Sequence, residues 1–583
     1  MAKRKHRPRR VKADQISGRV ARSAGQTLTT HSVGALPILN HVLEKMKLQE
    51  FLEAYLPRED GRTKLATSRA LMVLVKNILV ARNPIYGVGE WAAVYAPDLL
   101  GLAAEELGYL NDDRVGRALE KLFRVDRSSL ALAVAAHVVK RFSVELDQLN
   151  NDSTSVSFYG AYDHQGQEAA DPNQAPLVIT WGFSKDHRPD LKQLLFILTV
   201  ARDGATPVHF RAADGNVADD TTHRDTWELL CRLAGKRDFL YVADCKLATT
   251  DNMNYVHRNG GRFITVLPRT RKEDTAFRKR LLRGEIAWRH LLDKTDGEGV
   301  LIDRLSVCDE QAPSREGFRI IWFHSTRKAE LDTISRANRV HQALEKLAEL
   351  SDKLVSPRSR IRTKDKATAA ADAILREAGV GELITFHVEE YALENYRQDR
   401  RGRPGKDTRY IREVRTRCRL EYEVNPEAVA REQTTDGAFP LITNVESLSP
   451  EEVLQAYKQQ PLVEKRFSQL KTDFRVAPVY LKSVRRIEAL LCIYFFVLMA
   501  EALLERELRQ AMQCGDEESL PMYPEGRPCR QPTARRLIDI FETVQRHTWQ
   551  AGTEKPTILL TELSQAQRKI LKLLRLPTAD YGR

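Results

Sequence analysis

The strongest constraint on this chain is a change of hydrophobic period near residue 140. Upstream, LPILNHVLEKMKLQEFLEAYL, SRALMVLVKNILVA and DDRVGRALEKLF carry apolar side chains at helical spacing, with Asp112 or Asp113 placed to cap the last. Downstream, VELDQLNNDSTSVSFYG, APLVITWGFSK and QLLFILTVARDG read as strands. A helix over HRDTWELLCRLAG ends at Gly235, followed by a strand FLYVADCK, a helix around TTDNMNYVHRNG and a strand RFITVLPR. Three strands, helix, strand, helix, strand is an α/β order. Short connections make the first three strands an antiparallel meander, and the helix after them permits a parallel crossover.

The rest of the chain needs more than one core, as 583 residues require. RANRVHQALEKLAELSDKL is a helix, and a basic polar stretch, VSPRSRIRTKDKATAA, follows it. ELITFHVEEYAL and CRLEYEVN are strand-like, with RRGRPGKDTR between them. SPEEVLQAY opens on a capping box of Ser449 and Glu452, with Pro450 at the first helical position. A helix pair is expected from Val484 to about Met512, then helices over TARRLIDIFETVQRH and SQAQRKILKLL.

Composition narrows the function. The net charge of +13 and pI near 9.3 favour an anionic partner, and seven Lys and Arg crowd the first twelve residues. The seven cysteines form no C-x-x-C pair, which argues against a zinc site or a disulfide framework and fits a reducing cytoplasm. ALLCIYFFVLMA, twelve residues from Ala489 to Ala500, is short for a bilayer of roughly 30 Å and reads as a buried core helix, so no membrane partner is expected. No phosphate-loop, H-E-x-x-H or G-x-S-x-G motif is present, so a nucleotide cofactor, a zincin and an α/β-hydrolase lose support.

Carboxylates at strand positions remain. Asp152 lies in LNNDSTS and Asp244 ends FLYVAD, where open α/β sheets bind ligands. A third group lies in YKQQPLVEKRFSQLK, residues 457–471. At about 100° per residue, Tyr457, Gln460, Glu464 and Lys471 fall on one helical stripe roughly 60° wide, and Arg466 points the other way. Pro461 introduces a kink into that helix.

Asp152, Asp244 in Tyr-Val-Ala-Asp, and Glu464 within Tyr-x2-Gln-x3-Glu-x6-Lys resemble the DDE transposases of bacterial insertion sequences. More narrowly, they resemble the large group whose third carboxylate lies in a Tyr-x2-Arg-x3-Glu-x6-Lys signature. WGFSKDHRPDLKQL, the GN of RAADGNVADD, DGAFPLITN and RRIEALLCIYFFVLMAEALLERELR look familial too, as do PILNHVLEKMKL and YLNDDRVGRALEKL, so the resemblance runs from about residue 33 to 545. The family Arg is Gln460 here, which donates a hydrogen bond without supplying charge, while Lys471 and Arg475 carry charge on the same face.

The resemblance implies an α/β chain whose ribonuclease-H-like catalytic core is interrupted by an α+β insertion, with helical N-terminal and C-terminal regions. The expected parts are a basic flexible arm (1–25), a helical DNA-binding domain (26–140), the first part of the core (141–299), the insertion (300–430), the second part with the Glu464 helix (431–512) and a helical C-terminal region (513–583). The 92 residues from Asp152 to Asp244 suit the strands and helix between them, whereas the 220 from Asp244 to Glu464 need the insertion. By the same resemblance Asp152, Asp244 and Glu464 would hold Mg²⁺, with Mn²⁺ as substitute, and catalyse cleavage and 3′-end joining. Tyr457, Gln460 and Lys471 would position the terminal phosphate, and Arg401 and Arg403 of RRGRPG would form a minor-groove hook. The partners implied are double-stranded DNA (terminal inverted repeats and target) and a second copy of the chain, in the cytoplasm at the nucleoid. A nuclease with the same triad and a transposase-derived DNA-binding protein are the rival readings.

Overall fold

The computed structural model describes residues 19–23, 26–162, 175–309, 312–356, 358–473, 481–523, 525–551 and 555–581; residues 1–18 of the basic arm and Arg475 lie outside them. The chain divides into two units, one made of Met1–Thr265 with Gln455–Arg583, the other of Val266–Leu454.

In the first unit, helices between Leu36 and Phe142 precede the change of period. The strands β1 (Gln148–Phe158), β2 (Lys192–Ala201), β3 (Pro207–Asp214), β4 (Leu240–Ala243) and β5 (Arg262–Val266) then lie in the order β3-β2-β1-β4-β5. The first three pair antiparallel, and β4 runs parallel to both β1 and β5. Parallel neighbours need crossovers, supplied by α1 (His223–Ala234), closed by Gly235 at φ 65°, and α2 (Thr250–Arg258).

The meander differs from expectation in one member. APLVITWGFSK is not a strand: Thr180 makes an isolated bridge to Gln193, and the third strand is PVHFRAAD, which alternates too weakly to be read from sequence. The buried Gln193 amide donates instead to the carbonyls of Phe183 (3.1 Å) and Gly215 (2.9 Å). A Cβ at Gly182 would fall 1.9 Å from the Gly215 oxygen, so only glycine lets this segment lie so close.

In the second unit, β6 (Arg289–Thr295), β7 (Leu301–Cys308), β8 (Arg319–Ser325) and a later strand, Ala438–Thr443, pair antiparallel in the order Ala438–Thr443, β8, β7, β6. Two helices, α3 (Thr326–Val355) and α4 (Lys364–Ala378), pack through Ala343, Leu347, Ala367 and Leu375 onto Ile384 and Leu420 at the base of a long hairpin, β9 (Ile384–Gln398) and β10 (Tyr410–Val424). Part of the polar stretch expected before α4 is therefore helix, because Ala367, Ala371 and Leu375 recur every fourth residue. This unit is wider at both ends than the insertion of 300–430, and the strand Ala438–Thr443 belongs to it.

The chain re-enters the first unit through α5 (Pro450–Tyr457), which carries the reciprocal Ser449–Glu452 cap (2.8 and 3.2 Å). There follow α6 (Pro461–Ser468), a π-helical turn over Gln469–Asp473 and α7 (Val484–Cys514). The expected helix pair is one helix of 31 residues. By length and composition it is able to cross a membrane, but its most apolar window is wholly buried inside the protein, with Phe495 stacked on Phe210 of β3 at 5.1 Å.

Two further expectations are corrected at the chain ends. Arg19–Ser23, assigned to the flexible arm, is a strand, and ETVQRH is not helical: the helix stops at Phe541 and Gln545–Ala551 is a strand. With Gln26–Ser32 and Thr557–Leu560 these make a four-stranded antiparallel sheet. The two central strands, Gln26–Ser32 and Gln545–Ala551, pair with each other across more than 500 residues of sequence, which no local pattern encodes.

Candidate active site

Strand β1 is rich in Asn, Ser and Thr yet buried at every position except Asp152. Some of its polar side chains are satisfied across the sheet, as where Thr199 donates to Asn151 at 2.8 Å, while Asn150 Nδ2 and Ser157 Oγ are buried without a hydrogen-bond partner; the strand opens at one carboxylate. Asp244 directly follows β4. The parallel register aligns Asn151 with Ala243, which sets Asp152 and Asp244 at the next positions of adjacent strands, with backbones roughly 5 Å apart.

Both aspartates are raised from the ordinary carboxylate range. Burial pushes Asp152 up to about 6, with Asp244 and Asp219 adding to the shift and Lys185 opposing it. Asp244 is raised for the same first reason, opposed by the Lys246 N–H that donates to it at 3.1 Å. The structure places Tyr457, at the end of α5, in the field of both. Its phenol is held well above its usual value by burial first, then by Asp244, Cys245, Glu464 and Asp152. Asp152 and Asp244 are neighbours in the sheet, and Tyr457 lies near enough to feel both of them and Glu464. Glu464 itself is exposed on α6.

Gln460, expected to position a DNA phosphate, is turned inward. It is 5% exposed, and its amide donates to the Asn151 carbonyl at 2.9 Å, which ties the approach to α6 to the residue before Asp152. Its amide oxygen is buried without a hydrogen-bond partner, and a guanidinium there would bring a full charge out of water. Lys471 lies in the π-helical turn with its ammonium 2.5 Å from Asp186. Pro461 starts α6, so the expected single stripe is two short helices and a turn. Arg401 and Arg403 are exposed in the loop between β9 and β10, in the second unit.

Sequence reading missed a cation among the acids. Lys185 Nζ lies 3.1 Å from Asp219 and 3.6 Å from Asp152, and donates to the Ser153 carbonyl (2.8 Å) and hydroxyl (2.6 Å). The Ser153 hydroxyl in turn donates to Asp219 at 2.7 Å. Lys185 and Asp186 stand in WGFSKDHRPDLKQL and Asp219 in RAADGNVADD, where the only signal was an acid or base in a familial segment.

Behind Glu464, the opposite face of α6 is fixed by charge. Arg466 is wholly buried and donates to Ala205 O and Gly204 O at 3.0 Å and to Gln469 at 2.7 Å. It also pairs at 3.3 Å with Glu505 of α7, which Lys465 and Arg509 reach at 3.3 and 3.6 Å. A buried ion pair holds only when its remaining donors are used, as they are here.

Among the described residues, no three His, Cys, Asp or Glu side chains stand close enough together to hold one metal ion. What the site presents is hard oxygen donors, two of them raised first by burial and further by Asp219, with an ammonium drawn in beside them. That donor chemistry fits a hard divalent cation.

Residues 151–500 match the family described as "Transposase DDE domain", and residues 28–136 match a domain of unknown function, DUF4277. The first match spans more than half the chain, so the protein belongs to the DDE transposase family and is a nucleic-acid-processing enzyme. Nothing among curated proteins matches. Among solved structures the chain is similar to a piggyBac transposase in a synaptic complex with hairpin DNA. That likeness has 7% identity over 86% of this chain and 79% of that one, and at a TM-score of 0.34 it carries no argument.

Proposed function

We propose that the chain is a divalent-metal-dependent transposase of the insertion-sequence group with the Tyr-x2-Arg-x3-Glu-x6-Lys signature. It binds the terminal inverted repeats of its element, cleaves at the element ends and joins the 3′ ends to target DNA as a homodimer in the cytoplasm. The observation that carries this reading is the parallel register that sets Asp152 beside Asp244, within a chain of the DDE family. The strand order β3-β2-β1-β4-β5 supports a ribonuclease-H-like core.

Asp152, Asp244 and Glu464 would hold Mg²⁺ or Mn²⁺, which supplies charge neutralisation and an activated oxygen nucleophile for phosphodiester attack. The chain's own groups do the rest. Its parallel register fixes the two aspartates as neighbours, and Gln460 binds the α5–α6 junction to β1. The Arg466–Glu505 pair holds α6 from behind, leaving Glu464 on the exposed face. Tyr457 keeps its proton across the working pH range and so serves as a hydrogen-bond donor. Lys471 would meet a DNA phosphate as a point charge.

The test is cleavage and joining of repeat-ended DNA with Mg²⁺ by Asp152→Ala, Asp244→Ala and Glu464→Ala. Each variant is expected to bind DNA and to lose about 10³-fold or more in cleavage, the scale of losing a preorganised charge in a reaction centre. A variant that binds and cleaves like wild type removes that residue from the triad. Nicked DNA without joined products would make the protein a nuclease.

A further inference from the structure

The segment between β1 and β2 sends two consecutive side chains of opposite sign into the site. Lys185 reaches the carboxylates: its ammonium is 3.6 Å from Asp152 and 3.1 Å from Asp219, and the Ser153 carbonyl and hydroxyl fix its position. Asp186 reaches the base: its carboxylate is 2.5 Å from Lys471. The backbone is held so that both can do this. Lys185 N–H donates to the Ser155 hydroxyl at 3.1 Å, and the Phe183 carbonyl accepts from the buried Gln193 amide.

These two charges reproduce what the proposed reaction brings in. An ammonium stands where a cation would neutralise Asp152, and a carboxylate stands on the lysine that would meet a phosphate. We propose that Lys185 and Asp186 are a paired internal counter-charge, positioning residues that keep the carboxylates and Lys471 neutralised at rest and that metal and DNA must displace. The inference rests on the triad reading and adds to it: the site is self-occupied, with one residue competing with the metal and its neighbour with the phosphate. A metal that replaces Lys185 at Asp152 frees the ammonium to remain on Asp219 and Ser153, with no charge left unpartnered. Asp186 is exposed and its pair with Lys471 is partly solvated, so that arm contributes less than the Lys185 arm.

The full chain is titrated with Mn²⁺, read by the loss of the free-ion electron paramagnetic resonance signal, and separately with a fluorescent 30-base-pair duplex of arbitrary sequence. Removing a unit positive charge less than about 4 Å from a ligand oxygen should tighten Mn²⁺ binding by at least about threefold in Lys185→Met and Lys185→Gln. Lys185→Arg should restore the wild-type value. Asp186→Asn should leave Mn²⁺ binding unchanged and tighten duplex binding at low salt by about twofold or more, in keeping with a partly exposed pair. Mn²⁺ binding by both neutral Lys185 variants that equals or falls below wild type overturns the proposal, and so does an Asp186→Asn protein with unaltered duplex affinity. Asp152→Asn and Asp244→Asn separate the two readings. If they bind Mn²⁺ like wild type, the triad itself is wrong. If they lose it while Lys185→Met changes nothing, only the counter-charge is wrong.

Discussion

The Gln460 side-chain amide donates to the Asn151 carbonyl at 2.9 Å, joining the junction before the Glu464 helix to the residue before Asp152. One hydrogen bond thus registers the third carboxylate against the first across more than three hundred positions of sequence.

Gln460→Ala should therefore lower cleavage more than it lowers DNA binding. The expected stability loss is about 1–2 kcal/mol, the usual result of removing one partner of a buried hydrogen bond. Gln460→Arg, which restores the family residue, should destabilise more, because its charge would enter a 5%-exposed place. Denaturant midpoints alongside single-turnover cleavage check both.

Arg466→Met is expected to be among the most damaging changes in α6. It strips Glu505, which is 1% exposed, of a partner and leaves two carbonyls unserved. A loss of about 3–5 kcal/mol is expected for a broken buried pair, with part recovered in Arg466→Met/Glu505→Met. Urea unfolding of the three proteins measures this; equal stability of the single and double variants would refute the coupling.

The raised Asp152 carboxyl makes metal-free stability depend on pH. Its folded value of about 6 lies above the ordinary 3.8, so the folded state holds the proton more tightly than the unfolded one. The contribution is present below pH 3.8 and is lost as pH rises through 6, amounting to at most about 3 kcal/mol. Asp152→Asn should accordingly raise the Tm at pH 7.5 relative to wild type and have little effect near pH 4. A lower Tm at pH 7.5 in this variant would contradict the assignment.

Arg401 and Arg403, exposed in the loop of the long hairpin, are expected to act on DNA through phosphate or groove charge. Replacing both with Ala should weaken duplex binding and reduce the salt slope by about 2, with cleavage per bound complex unchanged. Affinity measured across a salt series decides it; an unchanged slope removes the hook.

How much of this was legible in sequence differs from element to element. Periodicity carries the helices upstream of residue 143, the buried strand QLLFILTVA and the Ser449–Glu452 cap, because each is set by side chains a few residues apart. The two aspartates and Glu464 stand out as acids in apolar or familial surroundings. Periodicity fails at ETVQRH, which runs into a strand paired with Gln26–Ser32 near the opposite end of the chain, at Arg19–Ser23, which pairs with that same strand, and at WGFSK, whose backbone is captured by the Gln193 side chain.

By itself, the sequence determined which residues could do chemistry: its hard-oxygen acids and its basic surplus are local properties of composition and spacing. Only the tertiary structure decided how they are used. It turned Gln460 inward onto Asn151, set Tyr457 among the acids, and drew Lys185 to Asp152 and Asp186 to Lys471. The physical reason is range. Periodicity is enforced over a few residues, whereas burial and charge pairing act between groups that are near only once the chain has folded.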